Sequence, residues 1–278
     1  MTFSEIRGRL ADAGIENADF EAYILIEKFE GKSRSAVLCE KSADYCSVAL
    51  NAALAKRCSR YPLQYIIGEW EFYGLNFRID ENCLIPRPDT EVIVERALRE
   101  AKPDANVLDL CTGSGCMIAS FLYTRPDARG TAVELFPKTA DIAARNIESL
   151  GLSDRCRIII GDATRDIFPE CEKFDIIMSN PPYISEDEMN RLEPELDFEP
   201  RQALFDGETG GDGMSIINKI TKIYKNHLTP NGALIFEHGF AQGEKMRETA
   251  EKNDMSYECI TDYGKNVRGA VLKYHAHA

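Results

Sequence analysis

One short segment of the chain joins residue types that suit a planar nitrogen: Asn180, Pro181, Pro182 and Tyr183. It follows the apolar run Phe174 to Met178, which predicts a buried strand. Because the prolines lack N–H groups, the segment offers acceptors, namely carbonyl oxygens and the Asn180 side-chain oxygen. A planar NH2 group can donate to the Asn180 oxygen and the Pro181 carbonyl, while the Tyr183 ring lies against its flat face. We therefore predict Asn180, Pro181 and Tyr183 as catalytic residues, with Pro182 completing the substrate pocket; the alternative is a structural Pro-Pro turn.

A second candidate site follows the predicted strand Val107 to Leu110, in the run Cys111-Thr112-Gly113-Ser114-Gly115. Glycine at positions 113 and 115 lets the backbone approach a ligand without a Cβ clash. Such a turn alone is equally compatible with a tight structural connection between strand and helix. The next predicted strand ends in Glu134, about 20 residues further on, where a carboxylate can accept both hydroxyls of an adenosine ribose.

The ligand that these residues favour is cationic. Ile118 stands where the dinucleotide fingerprint needs its third glycine, and Asp109 places a carboxylate beside the helix end that a pyrophosphate would need. Gly161-Asp162-Ala163, after the third predicted strand, adds a carboxylate for an adenine amino group. S-adenosylmethionine fits these features, and NAD is the alternative. We predict that the cofactor is bound by Cys111, Thr112, Gly113, Ser114, Gly115, Glu134, Asp162, Ala163 and Asn180.

Together the two sites favour methyl transfer to an amide or amine nitrogen. An amide nitrogen is a poor nucleophile because its lone pair is delocalised into the carbonyl group. No general base is needed beforehand, since the proton can leave once the nitrogen becomes cationic. The pocket must orient the nitrogen, exclude water and polarise the N–H bonds. A carboxylate would bring no donors, which would cost about 1–3 kcal/mol for each buried acceptor left unpaired.

From Asn106 onward, predicted strands alternate with predicted helices, which is typical of a parallel, doubly wound α/β sheet. Ligands of such sheets bind at the carboxyl ends of the strands, where both candidate sites lie. The predicted helices run from Pro137 to Gly151 and from Asp212 to His227. The predicted strands are Val107–Leu110, Thr131–Glu134, Arg157–Ile160, Phe174–Met178, Ala233–Glu237, Tyr257–Thr261 and Ala270–Tyr274.

The first part of the chain has a different pattern. Residues 1 to about 65 show apolar residues at helical spacing, for example Phe3, Ile6 and Leu10. Pro62 to Gly68 indicates a hinge, and Phe72 to Ile79 predicts a short β-hairpin. Asp89 or Thr90 is expected to cap the helix that follows.

Composition limits the class of protein. The 278 residues are 44% hydrophobic and 28% charged, with a net charge of −13, which disfavours a protein whose main task is to bind nucleic acid. The nine cysteines are scattered without a C-x-x-C pair, so we expect no metal site. His275 and His277, near the end of the chain, are expected to be solvated. Because the sequence has neither a signal peptide at its start nor a long apolar run, we expect a cytoplasmic protein.

Several segments resemble the release-factor glutamine methyltransferases (the HemK/PrmC family of protein-(glutamine-N5) methyltransferases). In family order they are Pro62–Gly68, Leu84–Glu91, Asp109–Gly115, Asn180–Ile184, Glu199–Leu204 and Glu237–Gly239. The resemblance implies a class I S-adenosylmethionine-dependent methyltransferase, with a Rossmann-like, seven-stranded, mostly parallel sheet and an N-terminal helical bundle. It implies a helical domain at 1–66 that binds the substrate protein, a β-hairpin linker at 67–85 and a methyltransferase domain at 86–278. The implied reaction is N5-methylation of the glutamine in the Gly-Gly-Gln motif of peptide chain release factors.

The sequence also departs from the family's pattern. Cys111 replaces the usual glycine, Glu134 stands where aspartate is common, and His238 where isoleucine is common. Arg87 and Thr90 are expected either to support the site or, for Arg87, to pair with an acidic surface group. The acidic stretch Glu186 to Glu199 is expected to be a solvated face, or to contact a basic part of a release factor.

Two other functions remain open from the residues alone. An N6-adenine methyltransferase acting on DNA or RNA would hold an exocyclic amine in the same way, if the base is flipped out of the helix. The segment from Pro86 to Glu91 and the acidic composition count against it. A non-catalytic adapter that keeps the fold is the other alternative, and the intact cofactor and substrate motifs count against that.

Overall fold

The computed structural model describes residues 1–40 and 42–275, so His277 lies outside the described residues, whereas His275 is exposed as expected. The chain divides into two compact units. The first comprises Met1–Glu69 and the short segment Glu193–Phe198, and the second comprises Trp70–Leu192 and Glu199–Ala278. Within the described residues, no helix is both long enough and apolar enough to span a membrane.

The first unit is built from helices, as the apolar spacing of its sequence predicts. They are α1 Phe3–Asp12, α2 Ala18–Glu30, α3 Arg34–Cys39, α4 Val48–Cys58 and α5 Leu63–Ile67. Thr2 begins α1 with a capping box shared with Glu5, and Gly31 ends α2 in the left-handed conformation that glycine adopts without a steric penalty. Ile6, Leu10, Leu25 and Leu50 are fully buried, which gives this unit a core of its own.

The expected hinge at Pro62 to Gly68 is wrong, because this segment forms helix α5. Pro62 occupies the N-cap position with φ −55°, and Gly68 ends the helix with φ 77°. Proline before a first turn and glycine after a last turn are standard ends of a helix. The two residues that suggested a hinge are therefore the two ends of a short helix.

The segment Glu193–Phe198 packs within this first unit through an ion-pair cluster. Glu195 accepts hydrogen bonds from Arg60 at 2.7 Å and from Arg57 at 3.2 Å, and Arg57 also binds Glu21 at 2.6 Å. Burial alone would raise the pKa of Glu195, but the hydrogen bonds from Arg60 and Arg57 lower it. The expectation of a solvated acidic face is therefore wrong for Glu195.

A two-stranded hairpin follows, formed by β1 Glu69–Phe72 and β2 Leu75–Arg78. Its two turn residues, Tyr73 and Gly74, both have positive φ, at 52° and 71°. This is the turn that matches the twist of hairpin strands. The hairpin was predicted, but its first strand begins before Phe72.

The second unit contains a seven-stranded sheet in the order β5-β4-β3-β6-β7-β9-β8. All neighbouring pairs are parallel except those of β9, which runs antiparallel to both β7 and β8. The predicted fold class is thus confirmed. The strands are β3 Asn106–Leu110, β4 Arg129–Glu134, β5 Cys156–Ile160, β6 Phe174–Ser179, β7 Leu228–Glu237, β8 Met255–Thr261 and β9 Val267–Tyr274.

Helices cover the sheet, and two apolar clusters fill the space between them. One cluster includes Ile93, Phe121 and Ile235, and the other includes Phe174 and Tyr224. The helices are α6 Glu91–Glu100, α7 Cys116–Thr124, α8 Pro137–Ser149, α9 Glu186–Met189, α10 Arg201–Leu204, α11 Ser215–Tyr224 and α12 Gly243–Lys252.

The start of α6 differs from the expectation. Thr90 occupies the N-cap position, but its side chain makes no capping hydrogen bond. A short 3-10 helix, Pro88–Thr90, leads into α6 instead. The Thr90 hydroxyl is thereby left for a contact with the residues that follow β6.

The strand order reverses between β3 and β6. The chain proceeds outward from β3 to β4 and β5, and then returns to place β6 on the other side of β3. The loops after β3 and β6 therefore diverge to opposite faces of the sheet and leave a crevice at the carboxyl ends. Both motifs singled out from the sequence begin at this point.

Candidate active site

A cavity of about 430 Å³ lies at this crevice, within the second unit. Its volume falls in the range of about 300–1,000 Å³ that is typical of small-molecule sites. The walls come from the loops after β3, β4, β5 and β6, together with residues from 82–90 and 200–207.

The loop after β3 has three residues in the left-handed region, with φ of 60° at Cys111, 57° at Gly113 and 79° at Gly115. Glycine adopts this conformation freely, whereas a residue with a Cβ pays about 1–2 kcal/mol. A Cβ at Gly115 would also lie 3.2 Å from the Cβ of Ala143 on α8. The loop therefore needs glycine at 115 for close packing, and Cys111 holds a conformation that glycine adopts more readily than a residue with a Cβ.

Glu134, at the end of β4, is oriented by the backbone. Its two oxygens accept hydrogen bonds from the N–H groups of Gly113 and Phe136, both at 3.0 Å. Burial raises the pKa of this carboxyl, and the two N–H groups offset part of the rise. Glu134 lines the cavity with lone pairs still available, which suits it to accept ribose hydroxyls.

Asp109 has a different role from the one expected. It is fully buried and is not among the residues that line the cavity. Its Oδ2 accepts a hydrogen bond from the Thr112 hydroxyl at 2.6 Å, while its Oδ1 is buried without a partner among the described residues. Burial raises its pKa to about 7. Asp109 therefore holds the loop through Thr112 and does not reach the cavity, so it is not positioned to contact a cationic ligand.

Asp162 and Ala163 line the cavity after β5. The Asp162 Oδ1 accepts from the backbone and the hydroxyl of Thr164, at 2.9 and 2.7 Å. Burial alone would raise the pKa of Asp162, but Thr164 and Arg165 together lower it. An ionised carboxylate is thus held at the edge of the cavity.

Asn180 follows β6 and faces the cavity from the opposite side of the crevice. Its amide nitrogen donates to the hydroxyl oxygen of Thr90 at 3.4 Å. This contact leaves Oδ1 as the part of the amide that can accept from a ligand. Among the described residues, no donor contacts the carbonyl oxygen of Pro181.

Tyr183 is held away from the cavity lining. Its hydroxyl donates to Oε1 of Glu237 at 3.1 Å, and burial raises its pKa. Its carbonyl accepts from the Gln242 side chain at 2.9 Å, and a Cβ on Gly213 would lie 2.1 Å from that carbonyl. The backbone after the two prolines is therefore tightly fixed.

Most of the predicted site residues line one cavity. These are Cys111, Thr112, Gly113, Ser114, Glu134, Asp162, Ala163, Asn180 and Pro182, together with Arg87 and Thr90. Gly115, Pro181 and Tyr183 do not line it. The roles assigned to all of these residues remain predictions.

Residues 200–207 form a wall of the cavity, a role that the sequence did not predict although Glu199–Leu204 is among the segments that resemble the family. Leu204 and Asp206 exchange backbone hydrogen bonds with Ile184, which ties this wall to the segment after β6. Just before it, Glu199 accepts from the Ile85 N–H at 3.1 Å and from the Arg87 guanidinium. The Glu199 side chain is only 2% exposed, so the expectation of a solvated acidic face is wrong here as well.

Asn146 is a second residue that the sequence did not single out. From α8 it donates to the Ser114 carbonyl at 2.8 Å and exchanges two hydrogen bonds with the backbone of Arg78 on β2. It therefore fixes the loop after β3 against the hairpin. A lone asparagine within an amphipathic helix gives no local signal of such a role.

The charges of the cavity fit a cationic ligand. Carboxylates of Glu134, Asp162 and Asp206 line it. Two guanidinium groups line it as well: that of Arg87, which is paired with Glu199, and that of Arg201, which lies over the Phe205 ring. A pyrophosphate next to Glu134 would be repelled, whereas a ligand with ammonium and sulfonium charges would be attracted. The described residues contain no group of three potential metal ligands, and a site without metal remains our expectation.

Comparison with known proteins identifies the family. Residues 2–68 match the PrmC N-terminal domain family, and residues 86–203 match the family described as conserved hypothetical protein 95. The release factor glutamine methyltransferase of Cereibacter sphaeroides is 38% identical over 87% of this chain and 86% of its own. That of Geobacter sulfurreducens is 39% identical over 86% and 84%. This chain belongs to the release factor glutamine methyltransferase family.

The likeness extends to a third relative and to the fold. The family member of Salmonella typhimurium is 35% identical over 89% of each chain. A methyltransferase from Pyrococcus furiosus, at 17% identity, has the same fold, with a TM-score of 0.54 over 81% of this chain and 98% of its own. The resemblance inferred from the sequence motifs and the Rossmann-like methyltransferase fold are both confirmed.

Proposed function

We propose that this methyltransferase transfers a methyl group from S-adenosylmethionine to the N5 amide nitrogen of the glutamine in the Gly-Gly-Gln motif of peptide chain release factors. The orientation of Asn180 carries the proposal: its amide nitrogen is bound to Thr90, so its oxygen is left to accept from a substrate NH2 group. Family membership supports the choice of substrate. The reaction would take place in the cytoplasm, where release factors act, and nucleic acid is not the proposed substrate.

The cavity has groups for each part of the cofactor. Glu134 would accept the ribose hydroxyls, and Asp162 with the Ala163 backbone would hold the adenine edge. The loop from Cys111 to Gly115 would pass beside the amino acid part, because it has no Cβ at Gly113 in the way. When bound, the cofactor supplies a methyl carbon made electrophilic by a sulfonium, which keeps the electrons of the broken S–C bond.

The substrate amide would donate one N–H to Asn180 Oδ1 and the other to the Pro181 carbonyl. These two acceptors draw the N–H protons into fixed directions and so orient the nitrogen lone pair toward the methyl group. The nitrogen uses that lone pair for the new N–C bond and then releases one proton. The tight fixation of Tyr183 by Glu237 and Gln242 keeps the acceptors in place during the step.

The two parts of the chain would divide the task. Residues 1–66 would bind the body of the release factor, the hairpin within 67–85 would link the parts, and 86–278 would carry out the transfer. The separate core of the helical unit supports this division.

The experiment is transfer of a labelled methyl group to an unmethylated release factor. We expect incorporation with the natural factor and none when its loop glutamine is replaced by glutamate. Asn180→Ala should abolish transfer, whereas Asn226→Ala, an exposed asparagine remote from the cavity, should not reduce it. Label that appears in duplex DNA and not in the factor would overturn the proposal and favour an adenine methyltransferase.

A further inference from the structure

The site at Asn180 accepts a planar NH2 group, which a free glutamine and a glutamine within a protein loop both offer. Recognition of a loop therefore needs contacts outside the cavity, at the sheet edge where Asn180 lies. The strand order puts the loops that line the cofactor cavity on one side of the segment after β6, and the ends of β7 and β8 on the other side. Because β9 is antiparallel to both β7 and β8, these two strands run in the same direction and end at the same edge as β6.

This edge carries two exposed aromatic side chains. Phe240 follows β7 and is 64% exposed, and Tyr263 follows β8 and is 71% exposed. No other aromatic side chain in the described part of the chain is as exposed as either of them. A single exposed aromatic residue needs no explanation, but two at the edge that also carries the active site indicate a binding surface.

Phe240 is held beside the segment that carries Asn180. It begins a short 3-10 helix that ends at Gln242. The Gln242 side chain accepts from the Gly239 N–H at 2.7 Å and donates to the Tyr183 carbonyl at 2.9 Å. A Cβ placed on Gly239 would lie 3.6 Å from the Tyr183 ring, so the backbone just before Phe240 packs against that ring.

Tyr263 is also held in place before any partner binds. Its hydroxyl donates to Glu95 on α6 at 2.6 Å. Its turn is anchored by Arg268, which pairs with Asp262 at 3.2 Å and with Asp89, just before α6, at 2.9 Å. An aromatic side chain that is already fixed loses little conformational entropy on binding, which favours it as a contact residue.

The two rings suit a partner of particular chemistry. An aromatic face is flat and uncharged, so it favours a flat, uncharged group over a charged side chain. A peptide group is such a surface, and it can lie directly on a ring where its residue has no Cβ, as in glycine. The two glycines of the Gly-Gly-Gln motif precede the target glutamine and offer peptide groups of this kind.

We propose that Phe240 and Tyr263 form an aromatic rim that binds the two glycines of the substrate loop, and so makes the enzyme specific for a glutamine in this loop. The rim contacts the substrate but not the reacting nitrogen, since neither residue lines the cavity. The inference rests on the proposed methylation of glutamine.

The test is the steady-state kinetics of methyl transfer to an unmethylated release factor, together with calorimetry of S-adenosylmethionine binding. We expect Phe240→Ala and Tyr263→Ala each to raise the KM for the factor about tenfold, as truncation of an important interface aromatic does. The kcat at saturating factor and the Kd of the cofactor should not change. Phe240→Tyr keeps the ring and should keep the KM.

Tyr123→Ala is the matched control. Tyr123 is 56% exposed, but it lies near the end of α7, which leads from the end of β3 to the start of β4 and so to the opposite edge of the sheet. Its replacement should leave the KM for the release factor unchanged.

A second measurement identifies the part of the factor that the rim contacts. Replacing the first glycine of the motif by valine should raise the KM with the unaltered protein, because the branched side chain separates the peptide group from the ring. With Phe240→Ala the same replacement should raise the KM much less, since the ring is already absent. Non-additive effects of this kind are expected only for groups that are in contact or closely coupled.

The outcomes separate the two proposals. No methylation of the factor by the unaltered protein would overturn the proposed function, and this inference with it. Methylation by the unaltered protein, combined with an unchanged KM in both alanine variants or with additive effects of the valine replacement, would overturn the rim alone. A fall in kcat or a weaker cofactor Kd in place of the raised KM would assign the two residues a structural role and would also overturn the rim.

Discussion

Replacing Asp109 by asparagine is expected to remove a large pH dependence from the stability of the methyltransferase unit. Asp109 is fully buried beneath the cofactor loop, and its pKa is raised to about 7 by burial. Asparagine has the same shape and can still accept the hydrogen bond from the Thr112 hydroxyl. The substitution thus removes the titration and keeps the contact.

The sign follows from proton binding. The unfolded pKa of an aspartate is about 3.9, so between about pH 4 and pH 7 the folded state binds the extra proton. The stabilisation that the folded state gains from binding this proton at Asp109 is fully present below about pH 4 and is lost as the pH rises through about 7. For one such site, the free energy of unfolding falls by about 2.6 kcal/mol between about pH 5 and about pH 8.

The assay is urea unfolding of the full chain, followed by the fluorescence of its single tryptophan, Trp70. The difference in the free energy of unfolding between Asp109→Asn and the unaltered protein should shift by about 2–3 kcal/mol in favour of the variant between about pH 5 and about pH 8. Asp154→Asn, at an exposed position, serves as the control and should show no such gain. A parallel pH dependence of Asp109→Asn and the unaltered protein would refute the reasoning, because it would mean that Asp109 is already ionised in the folded state at low pH.

Three other predictions concern the cofactor loop. Cys111→Gly should be more stable than Cys111→Ala by about 1 kcal/mol in denaturant unfolding, because only the alanine keeps a Cβ in the left-handed conformation; equal stabilities would contradict this. Glu134→Ala should weaken S-adenosylmethionine binding by about tenfold or more in calorimetry, since the ribose hydroxyls lose a charged acceptor, and an unchanged Kd would contradict it. Both Gly113→Ala and Gly115→Ala strain a residue with positive φ, but only the second places a Cβ against Ala143, so Gly115→Ala should lose more stability. Equal losses in urea unfolding would show that this close contact does not matter.

Much of the architecture could be predicted because it is encoded locally. Buried parallel strands such as β3 and β6 are short apolar runs, and α8 begins at a proline. Their carboxyl ends meet at the reversal of strand order, so the amino-acid pattern alone was enough to place the loop after β3 and Asn180 at the same edge of the sheet.

What failed depends on contacts between distant residues. The wall at residues 200–207 and the hydrogen bond from Ile85 to Glu199 follow no periodic pattern. The wall is tied to Ile184 in another loop, and the Glu199 carboxylate bonds Ile85, which is far away in sequence. Thr90 is expected from the sequence to cap a helix, which is a local role. In the structure its hydroxyl instead accepts a hydrogen bond from the side chain of Asn180, 90 positions further along the chain. An acidic run suggested solvent exposure because charge alone does not reveal that Arg57 and Arg60 bind Glu195.

The most direct test of the central claim is tandem mass spectrometry of the release-factor loop peptide after reaction with the purified protein and S-adenosylmethionine. We expect one added methyl group, located on the side-chain nitrogen of the glutamine in the Gly-Gly-Gln motif, and no such product with Asn180→Ala. A methyl group on any other residue, or a glutamine that stays unmodified when the protein, the release factor and S-adenosylmethionine are all present, would contradict this assignment.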